Sequence, residues 1–160
     1  MIMVSSCLAG MKVRYNGTDR LDERIRQLVE EKKAVMVCPE LLGGFQTPRP
    51  PAEIVGGTGE DVLDGRAKVI DHSGNDVTDM YVAGAKAALK TAQEIGAEAA
   101  VLKENSPSCG SRAIYNGSFS GEKIAGTGVT TALLRRHGIR VLSEEAFSDE
   151  IDDDVHPAEC

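Results

Sequence analysis

Four short apolar runs punctuate the chain: IMVS at 2–5, AVMV at 34–37, AEAAVLK at 97–103 and IRVL at 139–142. Unbroken apolar stretches of this length are the pattern of strands covered on both faces. Segments with helical period lie between them. In TDRLDERIRQLVEEKK, Leu21, Ile25, Leu28 and Val29 fall on one helical face, with Thr18 or Asp19 placed to cap it. Thr78 is placed to cap a second helix through Tyr81, Ala85, Ala88, Leu89 and Ala92, stopped by Gly96. A third helix runs from Gly128 to His137. Its last turn carries Arg135, Arg136 and His137, where the helix dipole favours positive charge, and Gly138 closes it.

Strands alternating with helices predict a single-domain, three-layer α/β fold with a mainly parallel sheet, Rossmann-like or flavodoxin-like. CPELLGGFQTPRPPAEI reads as a loop punctuated by proline and glycine, and IYNGSF as a turn. AEIVGG and RAKVID form a small antiparallel β excursion. In such folds ligands bind beyond the carboxyl ends of the parallel strands. Cys7, Cys38 and Cys109 each follow a different predicted strand at that end, so three thiols converge despite sequence separations of 31 and 71.

Composition narrows the class. A chain of 160 residues, 41% hydrophobic and 27% charged, is ordinary for one globular domain. No apolar run reaches the length of a membrane span, and MIMVSSCLAG is too short for a secretory signal, so a cytoplasmic protein with no membrane partner is expected. The net charge of −7 is local: residues 144–160 hold eight acids and no Lys or Arg, leaving residues 1–143 at +1. A domain over 1–147 and an acidic, disordered tail over 148–160 are the expected division. Nothing in the pattern sets an oligomeric state.

Three converging thiols can hold zinc with an open fourth position, or an iron–sulfur cluster with one iron lacking a protein ligand. Lys12, Arg14, Arg49, Lys103 and Arg112 flank the loops and would favour thiolates. There is no CxxC pair, and two core cysteines with one incidental thiol fit the spacing equally well. Cys109 lies in NSPSCG, turn chemistry that suggests an exposed thiol. Glu40, in CPE, is an acid–base candidate beside a metal or a solvated loop glutamate. Ser106 and Ser108 offer hydroxyls to a substrate or to their own backbone. GTGVTT opens the third helix and offers amides to an anion, without a Walker-type lysine. His72, His137 and His156 have no ligand spacing. Few aromatics and no basic run leave nucleic acid unsupported as a partner. Cys160 makes the cysteine count even, but it lies in the acidic tail, and a fourth thiolate would close the metal to substrate.

SSCLAGMKVRYNG, VCPELLGGFQTPRPPAEI, KENSPSCGSRAIYNGSFSG and GTGVTTALLRRHGIRVLSEE together resemble the 2-thiouracil desulfurase family over about Met1 to Phe147. The resemblance implies a [4Fe–4S] cluster on Cys7, Cys38 and Cys109, whose fourth iron takes the sulfur of a thiolated pyrimidine. Water replaces that sulfur, giving uracil and sulfide without net redox change. It further implies Glu40 as the acid–base residue and Ser106 as a substrate-positioning hydroxyl, with Ser108 the substrate-binding alternative. The partner is then a small thiopyrimidine; thiolated RNA would lack a basic patch to bind. Two departures stand out. Val13 occupies a position where many members of the family carry cysteine, and Asn16 replaces an aspartate. The rival readings are a zinc-dependent hydrolase using the same thiols and a non-catalytic metal- or redox-sensing module with Cys109 as its reactive thiol.

Overall fold

The computed structural model describes residues 1–147; the acidic tail and Cys160 lie outside the described residues. The chain begins with β1 (Ile2–Ser5), α1 (Glu23–Glu30), β2 (Ala34–Val37) and α2 (Pro39–Leu42). It continues through β3 (Ala52–Val55), α3 (Gly59–Leu63), β4 (Lys68–Asp71) and α4 (Thr78–Glu94). Then come β5 (Ala99–Leu102), β6 (Ala113–Tyr115), β7 (Lys123–Ala125), α5 (Val129–Arg136) and β8 (Arg140–Ser143).

The main sheet is built from the four apolar runs, in the order β2–β1–β5–β8, with every pairing parallel. Alternation along the strands sends neighbouring side chains to opposite faces. Met3, Ala100, Leu102 and Val141 pack on Ala88 and Ala92 of α4 and Leu134 of α5. Val4 and Val101, one residue out of phase, pack with Ile25 of α1, Leu8 and Phe147 on the other face. The three layers predicted from the alternation of strands and helices are present. β3 and β4 pair antiparallel, as AEIVGG and RAKVID predict. Their Ile54 and Val69 share a second core with Tyr81 and Ala85 of α4, Ile114 and Val129. No helix among the described residues is long and apolar enough to cross a membrane.

Three local expectations are corrected. The first helix starts at Glu23 with Asp22 as its cap, accepting from the Arg24 amide at 3.0 Å. Asp19 instead closes its own turn on the Leu21 amide (3.1 Å), and Thr18 is bonded to Asn16, so neither expected cap is available. CPELL contains a helical turn rather than a plain loop; Pro39 opens it, where its fixed φ suits a helix and no amide donor is needed. Thr78 is the first residue of α4 and not its cap: Val77 takes the cap position, and the Thr78 hydroxyl accepts from the Val69 amide (2.9 Å) and donates to Asp76 (2.6 Å). IYNGSF holds the expected turn, which joins the short strands β6 and β7.

The contact that seats α2 on α4 is backbone against backbone. A Cβ on Gly84 of α4 would lie 2.0 Å from the Pro39 carbonyl oxygen, and one on Gly43 would lie 2.2 Å from that of Met80. Only glycine permits this approach, and it carries Cys38 and Glu40 with it. Gly84→Ala raises helix propensity by about 1 kcal/mol, yet the overpacking is expected to prevail and lower stability by about 1–3 kcal/mol. Urea unfolding of the two proteins checks the sign; a stabilised variant would rule out the close crossing.

Candidate active site

The three cysteines reach the carboxyl edge of the sheet by different local devices. Cys7 lies in a 3₁₀ turn, Ser6–Ala9, directly after β1. Cys38 follows β2 and caps α2. Cys109 sits in the loop after β5. All three are free thiols and line one cavity of about 500 Å³ together with Glu40, Arg49 and Ser106. Among the described residues, no three His, Cys, Asp or Glu side chains are gathered as a site for a single metal ion.

The thiols are not held as thiolates. Burial, then the neighbouring Cys38, pushes the Cys7 thiol up to about 11, against smaller opposing effects of Lys103 and Arg14. Burial and then Glu40 raise Cys109; burial raises Cys38, with Glu40 adding to it. The positive surroundings expected from the sequence are therefore outweighed by desolvation. Arg14, Arg49 and Lys103 line the cavity, whereas Lys12 and Arg112 do not. Cys109 is itself buried, at 6% exposure, the opposite of the exposed thiol that its turn-rich surroundings suggest.

Cys109 packs in the core with Met3, Val37, Leu102, Ala88 and Leu134, and α5 fixes its loop there. The amides of Gly128, Val129 and Thr130 donate to the carbonyls of Gly110 (2.9 Å), Pro107 (2.8 Å) and Ser108 (2.8 Å). Thr131 Oγ1 donates to the Cys109 carbonyl at 2.9 Å. A Cβ on Gly128 would fall 2.4 Å from the Ser108 carbonyl carbon, so the loop lies flush on the helix end. The expectation that GTGVTT holds an anion is thus corrected. These amides already serve the Cys109 loop, in the place an anion would take.

Glu40 is not a solvated loop glutamate. Its Oε2 accepts from Arg49 Nε at 2.7 Å, with the two side chains only 15% and 6% exposed. Arg49 also donates to the carbonyls of Val13 (2.9 Å) and Gln46 (3.2 Å) and to Thr47 Oγ1 (3.2 Å). Burial, followed by the Glu40 carboxylate, raises the pKa of the Tyr81 hydroxyl well above the usual value. Val13 lines the cavity, and the carbonyl through which it receives Arg49 is independent of its side chain. Asn16 caps its own turn by accepting from Thr18.

The two serines part company. Ser106 lines the cavity; its Oγ accepts from the amides of Ser108 (3.1 Å) and Cys109 (2.8 Å), leaving its hydrogen free to donate. Ser108 is 1% exposed and does not line the cavity. Its hydroxyl lies 2.8 Å from that of Thr130, so it pins the loop that carries the cysteine to α5. Glu104 organises the far side of the same loop. Its Oε1 accepts from the amides of Ser111 (2.9 Å), Arg112 (3.0 Å) and Ala113 (3.2 Å), while Oε2 takes the Ser111 hydroxyl.

Arg49, Tyr81 and Glu104 are the participants the sequence reading missed as a set. In the sequence Arg49 reads only as a nearby charge and Tyr81 only as a helix-face residue. All three tyrosines of the chain, Tyr15, Tyr81 and Tyr115, line this one cavity. No local signal marks them, because they come from separate segments.

The sequence pattern of the 2-thiouracil desulfurase family matches residues 2–146. The chain belongs to that family. Its members are named as enzymes that act on 2-thiouracil. The uncharacterised protein YbbK of Bacillus subtilis (strain 168) is 64% identical over 149 residues, covering 93% of this chain and 99% of that protein. Among solved structures, one named as the [4Fe-4S]-dependent thiouracil desulfidase TudS is similar with a TM-score of 0.81 and 47% identity, covering 92% of this chain and 93% of that one.

Burial alone would raise the Glu104 pKa, but the bonds from Ser111, Arg112 and Ala113 hold it below the usual 4.5. Its contribution to stability is therefore complete above that value and is lost as pH falls through the lower, folded pKa. Glu104→Gln is expected to destabilise the protein by about 1–3 kcal/mol at neutral pH, and the gap should narrow in acid. Urea midpoints measured down the carboxylate range check this; parallel pH profiles would refute it.

Proposed function

We propose that this chain releases the sulfur of a thiolated pyrimidine as sulfide at a [4Fe–4S] cluster held by Cys7, Cys38 and Cys109, with Glu40 as the acid–base group. The observation that carries the reading is the meeting of three free thiols with the Glu40–Arg49 pair around one cavity. The likeness to a protein named as a [4Fe-4S]-dependent thiouracil desulfidase supports it. The donor set fits the cofactor: three soft sulfur ligands are one short of closing a four-iron cluster. Neutral, buried thiols yield their protons as the metal enters, and a reducing cytoplasm keeps them unbridged beforehand.

When bound, the cluster supplies a thiophilic Lewis acid beside the substrate's thiocarbonyl. The protein's own groups supply position and protons. Arg49, fastened to three other oxygens, holds the Glu40 carboxylate in one orientation. Glu40 takes a proton from the water that attacks the ring carbon and returns it to the departing sulfur. The C–S bond breaks as a C–O bond forms, and sulfur leaves with both protons of the water, so no electrons are exchanged. Ser106 donates its remaining hydrogen to the substrate. The cavity volume is that of a small-molecule site.

The deciding experiment is anaerobic reconstitution followed by sulfide release from 2- and 4-thiouracil. A brown protein that releases none would overturn the assignment. Serine at any one of positions 7, 38 or 109 is expected to abolish stable cluster absorbance, whereas Cys160→Ser is expected to retain it.

Glu40→Gln preserves the shape of the carboxylate but cannot exchange a proton. It is expected to keep the iron content and lose roughly 10²-fold or more in turnover. Near-wild-type turnover in this variant would remove Glu40 from the chemistry.

A further inference from the structure

The wall of the cavity formed by the β excursion and the β6–β7 hairpin holds a second buried carboxylate that the proposed chemistry does not use. Glu53, on β3, is 8% exposed and lines the cavity. Its Oε1 accepts from the amides of Gly117 at 3.0 Å and Phe119 at 3.2 Å, across more than sixty residues of sequence. Those bonds draw the turn between β6 and β7 onto β3. Gly117, at φ +93, sits so close that a Cβ would lie 2.6 Å from the Ile54 carbonyl oxygen. Phe119 is held at φ +55, a conformation that bulky residues rarely adopt without support. Its ring meets that of His72 edge-on, with centroids 5.4 Å apart, and both rings face the cavity.

The second oxygen of Glu53 is the informative atom. Oε2 has no hydrogen-bond partner among the described residues, and it is not one of their fully enclosed, unsatisfied atoms. An oxygen of a nearly buried, cavity-lining side chain that is neither bonded nor sealed opens to the cavity. The side-chain oxygen of glutamine could still accept from the two amides, so holding the turn does not require the charge. What the carboxylate adds is an acceptor turned towards the cavity, beside a wall of aromatic rings. An open acceptor next to a ring-stacking surface matches a flat heterocycle that carries N–H donors.

We infer that Glu53 recognises the pyrimidine base, with Oε2 accepting a ring N–H of the substrate while Phe119 and His72 border the ring. The inference rests on the thiopyrimidine reading above and names the group that selects among such bases. An N–H opposite the carboxylate is retained, and an N-methyl group or a ring lacking that donor is rejected, because the carboxylate would be left desolvated and unpaired. Glu53→Gln is the discriminating variant. Its Oε1 still serves Gly117 and Phe119, while its Nε2 turns a donor towards the substrate's donor.

The test uses the full-length reconstituted protein and measures equilibrium binding of uracil, 1-methyluracil and 3-methyluracil by calorimetry. These ligands lack sulfur, so binding is read apart from turnover. Glu53→Gln is expected to weaken uracil binding about tenfold or more with unchanged iron content. Wild type should lose a similar factor on one of the two methylated bases, and on that base the variant and wild type should agree. Equal uracil affinity in the two proteins, or an equal loss on all three ligands, overturns the proposal. Should the variant fail to fold, undiminished binding of both methylated bases by wild type overturns it instead. Uracil binding that follows the expected pattern in a protein that releases no sulfide would sink the desulfuration reading and leave base recognition standing.

Discussion

The backbone of residues 107–110 is hydrogen-bonded to the first amides of α5, and much of the site's geometry depends on that seam. A helix start has unsatisfied amides that need acceptors, and a reactive-looking loop has carbonyls that need donors. Here each satisfies the other, and Gly128 lets the two backbones touch. The seam fixes the loop of Cys109, sets Ser108 against Thr130, and leaves Ser106 facing the cavity. A second seam of the same kind, through Gly84 and Gly43, seats Cys38 and Glu40 on α4. Two of the three thiols are therefore positioned by backbone contacts, which tolerate far less movement than side-chain packing does.

Three carboxylates line the cavity, Glu53 and Glu104 buried and Glu40 half-buried, and each ties neighbouring loops together. Glu40 is joined to Arg49, and through it to Val13. Glu104 gathers the amides of residues 111–113. Glu53 gathers those of the turn between β6 and β7. A buried carboxylate is costly unless its oxygens are satisfied, and removing one partner leaves an uncompensated charge. These residues consequently hold the loops to a narrow set of positions. The Glu40–Arg49 pair and the Glu53 carboxylate also leave charge at the cavity surface, where it can act on a bound molecule.

Burial raises the pKa of each thiol, at Cys7 against the opposing Lys103 and Arg14 and at Cys109 together with Glu40. Such a site is quiet towards oxidants that attack exposed thiolates, and it becomes strongly binding only when a metal replaces the protons. The same low-polarity surroundings strengthen interactions between the groups that face the cavity. Quiet thiols and a fixed carboxylate are thus two outcomes of one cause, the covering of the sheet's carboxyl edge by α2, α5 and the excursion.

Much of the fold was legible in the residues themselves. The apolar runs at 2–5, 34–37, 97–103 and 139–142 determined the four parallel strands, because a strand covered on both faces needs continuous hydrophobicity and little else. Spacing determined the helices, and strand ends determined that Cys7, Cys38 and Cys109 share an edge. The motifs carried the family. Tertiary structure alone decided that Cys109 is buried, that the amides of GTGVTT serve a loop in place of an anion, that Ser108 turns inward, and that Arg49 and Tyr81 converge on Glu40. It also decided that Glu53 and Phe119 meet on one wall of the cavity. The reason is physical: propensity and period act over a few residues, whereas burial, hydrogen-bond partners and electrostatic surroundings are set by which distant segments the packed core brings into contact.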